Sequence, residues 1–375
     1  MPDRNYAAPM WWQHFMGGMT WRLARVAVVV AGAAMLVGSL TSCVTQSSRD
    51  PSVFQTGESL VLTGQQPNHL AFTPSRHRPV AVRSTYRDHL PNTVHYEAGR
   101  DYVITPDGAI RRTAGSRIPD FSTNILFGQE DFDHSKFPGF GNLPFFVYVD
   151  YHHRERLAPP VGPAELSARA LPATRGKLRA GASVRLVAFG DSITAGGDAS
   201  APDLIFWARW ADALRQKYPR ARIEAINGAT GGDTTVQGLQ RLQTKVLDLQ
   251  PDLVLIGFGM NDHNRPGFGV ALPAFKENLR LMVDRIRAHT PAEIILFSAF
   301  PPNPQWHFGS HNMAAYAAAT EAVAREKHCA FADVYQRWQQ IATRKHPEDM
   351  LANNINHPND FGHGIYFEAL QALGL

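Results

Sequence analysis

The 375-residue chain predicts an α/β protein, a parallel sheet in three layers, preceded by a smaller β-rich domain. Apolar runs alternate with helix-period segments from Ser183 to the C-terminus, while short apolar or alternating runs broken by Gly, Pro, Asn and Asp turns fill residues 51–155. Between them, residues 157–182 are proline-containing with little periodicity, as an interdomain connector would be. A chain this long also exceeds what one core usually serves.

The N-terminal segment, residues 1–43, reads as a signal. Arg22 and Arg25 precede the apolar run from Val26 to Leu40, which is short for a bilayer span, and Leu40-Thr41-Ser42-Cys43 follows. Met10, Met16 and Met19 are alternative starts. The tetrapeptide resembles the lipobox of bacterial lipoproteins. That implies cleavage before Cys43, acylation of its sulfur and new amino group, and an exported protein anchored at the bacterial envelope. Several acyl chains anchor stably where a single chain binds only marginally.

Residues 44–156 form the β-rich, sandwich-like domain. Its strand runs are Ser59–Leu62, Pro79–Arg83, Tyr102–Thr105 and Phe145–Val149, with Pro106-Asp107-Gly108 as a turn. The aromatics near its turns, Tyr86, Tyr96, Tyr102, Phe121 and Phe127, suit core packing first and a carbohydrate-stacking surface second.

Residues 183–375 hold five strand runs, at 184–189, 222–226, 253–258, 294–298 and 330–334, interleaved with helical segments near 203–218, 234–249, 271–289, 313–327 and 364–373. Right-handed crossovers follow for such a parallel sheet. Besides Cys43 the chain has one cysteine, Cys329, in an apolar run, so a disulfide framework is excluded and Cys329 reads as a small buried hydrophobe. With 37 basic against 33 acidic residues and no basic tract interleaved with aromatics, nucleic acid is excluded as a partner.

Four segments after strand ends carry chemistry. Gly190-Asp191-Ser192 places a hydroxyl at a strand's carboxyl end, where open α/β sheets bind ligands, although a turn or N-cap would use the same residues. Gly231-Gly232 lets backbone approach a ligand and present an N–H. Asn261, followed by Asp262 and His263, offers a side-chain NH₂ that stabilises developing charge without titrating; His263 itself reads as a loop residue beside the site or outside it. The last segment, Asn353 to Gly364, supplies two imidazoles, His357 and His363, as candidate general bases. No His, Asp or Glu cluster has metal-ligand spacing, so the expected chemistry uses neither metal nor cofactor.

In this order, the four segments resemble the SGNH (GDSL-type) hydrolase family over roughly the last half of the chain. The resemblance implies a flavodoxin-like sheet with strand order 2-1-3-4-5. It implies Ser192 as nucleophile, His357 as base, and an oxyanion hole of Ser192 N–H, Gly232 N–H and Asn261 NH₂. One departure stands out. The family pattern Asp-x-x-His-Pro has Asn354 at its acidic position here. Support for His357 then falls to Asn354 itself, to Asp360 or Asp349 folding back, to a main-chain carbonyl, or to nothing beyond a Ser–His dyad. A second register, Asp360-Phe361-Gly362-His363, makes His363 the alternative base; the proline directly after His357 favours the first.

The expected reaction is hydrolysis of a carboxylic ester through an acyl-enzyme on Ser192, with an acylated small molecule or polysaccharide as partner and O-acetyl groups on carbohydrate as first choice. Lipid or thioester hydrolysis is the runner-up, and Phe206-Trp207 and Trp306-His307-Phe308 are candidate walls for either a shallow acetyl pocket or an apolar acyl channel. A non-catalytic, glycan-binding surface lipoprotein is the third reading.

Overall fold

A computed structural model describes residues 52–158 and 169–375. Cys43 and the rest of the signal lie outside the described residues. Residues 50–375 cluster as one compact unit.

Its α/β part is a five-stranded, wholly parallel sheet of β7 (Ser183–Gly190), β8 (Arg222–Asn227), β9 (Leu253–Gly257), β10 (Glu293–Phe297) and β11 (Ala330–Ala332). The strand order is β11-β10-β9-β7-β8, the 2-1-3-4-5 arrangement. Central strands β7, β9 and β10 read as nearly continuous apolar runs because helices cover both faces. Edge strand β8 is only partly buried. One helix layer packs α4 (Thr235–Lys245), α5 (Leu272–His289) and α6 (Met313–Glu326) side by side; the other packs α3 (Phe206–Lys217), α7 (Val334–Ala342) and α8 (Asp360–Gln371).

Two nine-residue helices fall where none was expected. Pro172–Ala180, here α1, lies inside the stretch read as a connector; Pro172 suits its first turn, and Gly181 closes it in the left-handed region at φ 73°. In α7, Val334, Trp338 and Ile341 recur at helical spacing but cover only nine residues, too few for the period to stand out.

The N-terminal region contains an antiparallel sheet, order β1-β6-β2-β3, made of β1 (Val53–Leu60), β6 (Val147–His153), β2 (Ala81–Arg83) and β3 (His95–Tyr96). A separate hairpin pairs β4 (Tyr102–Ile104) with β5 (Ile110–Arg112) around Gly108, at φ 88°. One apolar cluster runs through both regions, joining Leu60, Val147 and Tyr151 to Leu186, Trp338 and Tyr366. A buried polar knot joins them as well. Lys345 Nζ donates to Glu58 Oε1 at 2.9 Å and to the Ser59 carbonyl at 2.7 Å, and Tyr151 donates its O–H to the other Glu58 oxygen. Asp349 accepts from the Val61 N–H and from Asn68 Nδ2, both at 2.9 Å.

Candidate active site

Strand β7 ends at Gly190, and the chain turns directly into a single helical turn, α2 (Ser192–Ala195). Asp191 caps it by accepting the Ile193 N–H at 3.0 Å. Gly190 has no room for a side chain, since a Cβ there would collide with the Gly257 carbonyl and Thr194. Ser192 is thereby fixed at the carboxyl end of the sheet. Burial pushes the Asp191 carboxyl up to about 7.

His357 meets Ser192 across the site. Its Nε2 is 2.8 Å from Ser192 Oγ, and its Nδ1 is 2.9 Å from Asp198 Oδ2. A carboxylate only accepts, so the Asp198 contact assigns the proton to Nδ1 and leaves Nε2 to accept the Ser192 O–H. The loop after α2 reverses through Gly196 (φ 106°) and Asp198 (φ 60°) to bring the carboxylate back over the imidazole. Gly197 is required there, because a Cβ would lie 2.9 Å from the Ser192 carbonyl and 3.0 Å from the His357 ring.

The acid partner therefore differs from every candidate named from the sequence. Asn354 does not touch His357. It lies in the left-handed region at φ 57°, its Oδ1 and carbonyl accept from Asn303 Nδ2 at 3.2 and 2.9 Å, and its side chain is committed to that contact. Asp360 does not touch His357 either; it opens α8 and accepts the Ser200 N–H at 2.9 Å. Asp349 is spent on the N-terminal region. His363 is fully buried, 3.3 Å from the Gly197 carbonyl and stacked on Phe206, and burial pushes its imidazole down to about 3, which unfits it as a base. Asp360 and His363 thus brace the loop that carries Asp198. The only prior sign of Asp198 was that it is the one carboxylate between Ser192 and Asp203.

Gly232 is in the left-handed region at φ 78°, and an adjacent Cβ on Gly231 would be 3.8 Å from Ser192 Cβ, so this loop runs beside the hydroxyl. Asn261 donates through Nδ2 to the Asp233 carbonyl at 2.9 Å, which ties the loop after β9 to the glycine loop. Asp262 reinforces that tie by accepting from Thr235 N–H at 2.9 Å and from its hydroxyl at 2.5 Å. Burial raises the Asp262 carboxyl to about 6. His263 is buried, Nδ1 against the Met260 carbonyl, its imidazole pushed down to about 4.

Phe206 and Trp207 are core residues, not pocket walls; Trp207 donates its indole N–H to the Thr194 carbonyl. Trp306 is buried with Leu126, Phe132 and Ile355, and Phe308 packs against that cluster. Cys329 is buried, its thiol pushed up to about 11. Among the described residues, no group of three His, Cys, Asp or Glu side chains is placed to hold a metal ion.

Residues 188–365 match the family model described as GDSL-like lipase/acylhydrolase. This segment resembles that family over just under half of the chain. The domain is similar to a Bacillus subtilis protein named uncharacterized lipoprotein YqeF, 33% identical over 30% of this chain and 46% of that protein. It is similar to an arylesterase of Vibrio mimicus, 34% identical over 32% of this chain and 58% of the relative, and to an Escherichia coli thioesterase/protease/lysophospholipase, 29% identical over 40% and 65%. The chain thus spans about half to two thirds of these relatives' length. A solved acetylxylan esterase from Geobacillus stearothermophilus aligns with a TM-score of 0.45 and 24% identity, over 51% of this chain and 94% of that one.

Proposed function

We propose that the chain is a metal-independent serine esterase in which Ser192 is the nucleophile, His357 the base and Asp198 the acid that orients it. The observation that carries this reading is the pair of contacts on His357, 2.8 Å to Ser192 Oγ and 2.9 Å to Asp198 Oδ2. His357 Nε2 takes the Ser192 proton as Oγ bonds to the ester carbonyl carbon, and the carbonyl electron pair moves to oxygen. Ser192 N–H, Gly232 N–H and the second N–H of the Asn261 amide donate to that oxyanion; the first is held by Asp233, which fixes the amide plane. The tetrahedral adduct collapses, the alcohol leaves with the proton from His357, and water repeats the sequence to release the acid and restore Ser192. Asp198 stabilises the imidazolium formed at each addition.

The proposed substrate class is O-acetyl groups on carbohydrate. The relative named as a thioesterase and lysophospholipase supports a second reading, longer acyl chains or thioesters. Chain length separates the two. Nitrophenyl acetate, butyrate and octanoate are offered to the protein beginning at residue 44 and to Ser192→Ala, His357→Ala and His363→Ala. Acetate turnover lost in the first two variants supports a short-chain serine esterase; a preference for octanoate supports the second reading. No turnover together with no fluorophosphonate labelling of Ser192 sinks both and favours a binding lipoprotein.

Envelope anchoring through Cys43 is part of the proposal, supported by the lipoprotein name of the Bacillus relative. Cys43→Ser should release the protein from the membrane fraction; an unchanged fraction refutes lipid anchoring.

A further inference from the structure

The aromatic residues of the N-terminal region divide by use. Tyr96 and Tyr102 are buried in the core, and Tyr86 holds Arg209 through its hydroxyl at 3.0 Å and its ring face. Phe121 and Phe127 instead line a cleft of about 410 Å³ that the N-terminal region forms with residues 303–305 and 346–354. Phe121 is buried and holds Phe127 edge to face at 5.9 Å, while Phe127 stays 44% exposed. A rigidly held exposed ring is a stacking platform.

The polar lining has one chemical character. Amides dominate it, with Gln66, Asn68, Gln129 and Gln305 beside Asn303 and Asn354, and the side chains of Gln66, Gln129 and Gln305 each carry a donor and an acceptor side by side, as paired sugar hydroxyls require. The wall is prearranged: Asn303 Nδ2 donates to Asn354, and Asn303 Oδ1 accepts the Gln305 N–H at 2.9 Å. Asn68 is held in place by donating to the Val61 carbonyl and to Asp349, both at 2.9 Å. The cleft lining carries two carboxyl groups, Glu130 and Glu348, and no Lys or Arg, which disfavours anionic ligands. Its volume is that of a small-ligand site. Asn354 also belongs to the turn that carries His357, whose N–H donates to Asn353 Oδ1 at 2.9 Å.

We propose that this cleft is a subsite for a neutral, hydroxyl-rich glycan, holding sugar units with Phe127 as stacking face and the amide wall as hydrogen-bonding face, next to the unit whose ester reaches Ser192. The link to Ser192 rests on the esterase reading; sugar binding in the cleft does not.

The test is calorimetric titration of the full Ser192→Ala chain with unsubstituted β-1,4-xylohexaose and mannohexaose, and with a galacturonate hexamer as the anionic control. Phe127→Ala and Gln129→Ala are titrated in the same background; both side chains are exposed, and thermal melts verify that the variants fold. The expected result is binding of a neutral hexamer, weakened about tenfold or more by Phe127→Ala and less by Gln129→Ala, with weaker or absent binding of the galacturonate. No binding of either neutral hexamer, equal affinity in Phe127→Ala, or preference for the galacturonate overturns the subsite. Nitrophenyl acetate turnover by the unsubstituted chain is scored separately, so loss of the esterase reading is distinguishable from loss of the subsite.

Discussion

At the scale of the residue, the carboxylate against His357 is Asp198, while Asn354, at the position where the family pattern has an acid, is turned to Asn303. The Ser192 and His357 motifs were legible because each has a local pattern, Gly-Asp-Ser at the end of β7 and a proline directly after His357. The acid was not legible, because its approach to His357 depends on two positive φ angles, at Gly196 and Asp198, that no spacing rule encodes. Asp198→Asn should lower kcat by about 10³–10⁴ on nitrophenyl acetate, since it removes the charge that stabilises the imidazolium and lets the imidazole settle in the wrong tautomer. Asn354→Ala should change kcat far less and lower stability by about 1–3 kcal/mol by leaving buried Asn303 short of a partner. Steady-state kinetics and urea unfolding of the two variants check this pair; a larger kcat loss in Asn354→Ala would return the acid's role to the C-terminal turn.

At the scale of the element, the start of α8 acts as a brace for the loop after α2. Asp360 accepts the Ser200 N–H, His363 contacts the Gly197 carbonyl, and Arg209 donates to the Asp360 carbonyl at 2.8 Å. Asp360→Ala removes the acceptor for Ser200 and should cost about tenfold in kcat as Asp198 loosens, whereas Asp360→Asn keeps an oxygen there and should restore most of it. Kinetics of both variants, with the kcat pH profile, distinguish a positioning role from general destabilisation: rescue by Asn is the expected result, and equal loss in both refutes the brace. Long helices with clear periodicity, such as α5 and α6, were legible in the sequence. Short α7 and α1 were not, because nine residues present too few turns for a period.

At the scale of the whole molecule, the parallel sheet agrees with the strand-and-helix alternation and its strand order with what the family resemblance implied, whereas the extent of contact between the N-terminal region and the last quarter of the chain had no local signature. The Glu58 and Lys345 side chains are both fully buried, and Lys345 is the one cation on Glu58 among the described residues, beside the Ala71 N–H and the Tyr151 hydroxyl. Lys345→Met leaves Glu58 buried without its cation and should lower stability by about 3–5 kcal/mol in equilibrium unfolding; a loss below about 1 kcal/mol would show the pair is dispensable. Acid sensitivity is also a property of the whole. His363, held neutral with its imidazole near 3, binds fewer protons folded than unfolded, so its contribution is complete above its ordinary value and is lost as pH falls toward 3. Asp191 and Asp262, raised to about 7 and about 6, act in the opposite sense as pH rises above the ordinary carboxylate range. The difference between the unsubstituted protein and His363→Gln isolates the histidine: the variant's stability should fall less steeply between about pH 6 and pH 3, and parallel curves would refute the assignment.

The knot around Glu58 and Asp349 also sets a timetable for synthesis. Ser59 donates its hydroxyl to the Asp349 carbonyl across 290 residues, so the first strand cannot be sealed until the ribosome has nearly finished the chain. At about 5–20 residues per second that is a wait of roughly 15–60 s, during which the early chain is open to chaperones and proteases.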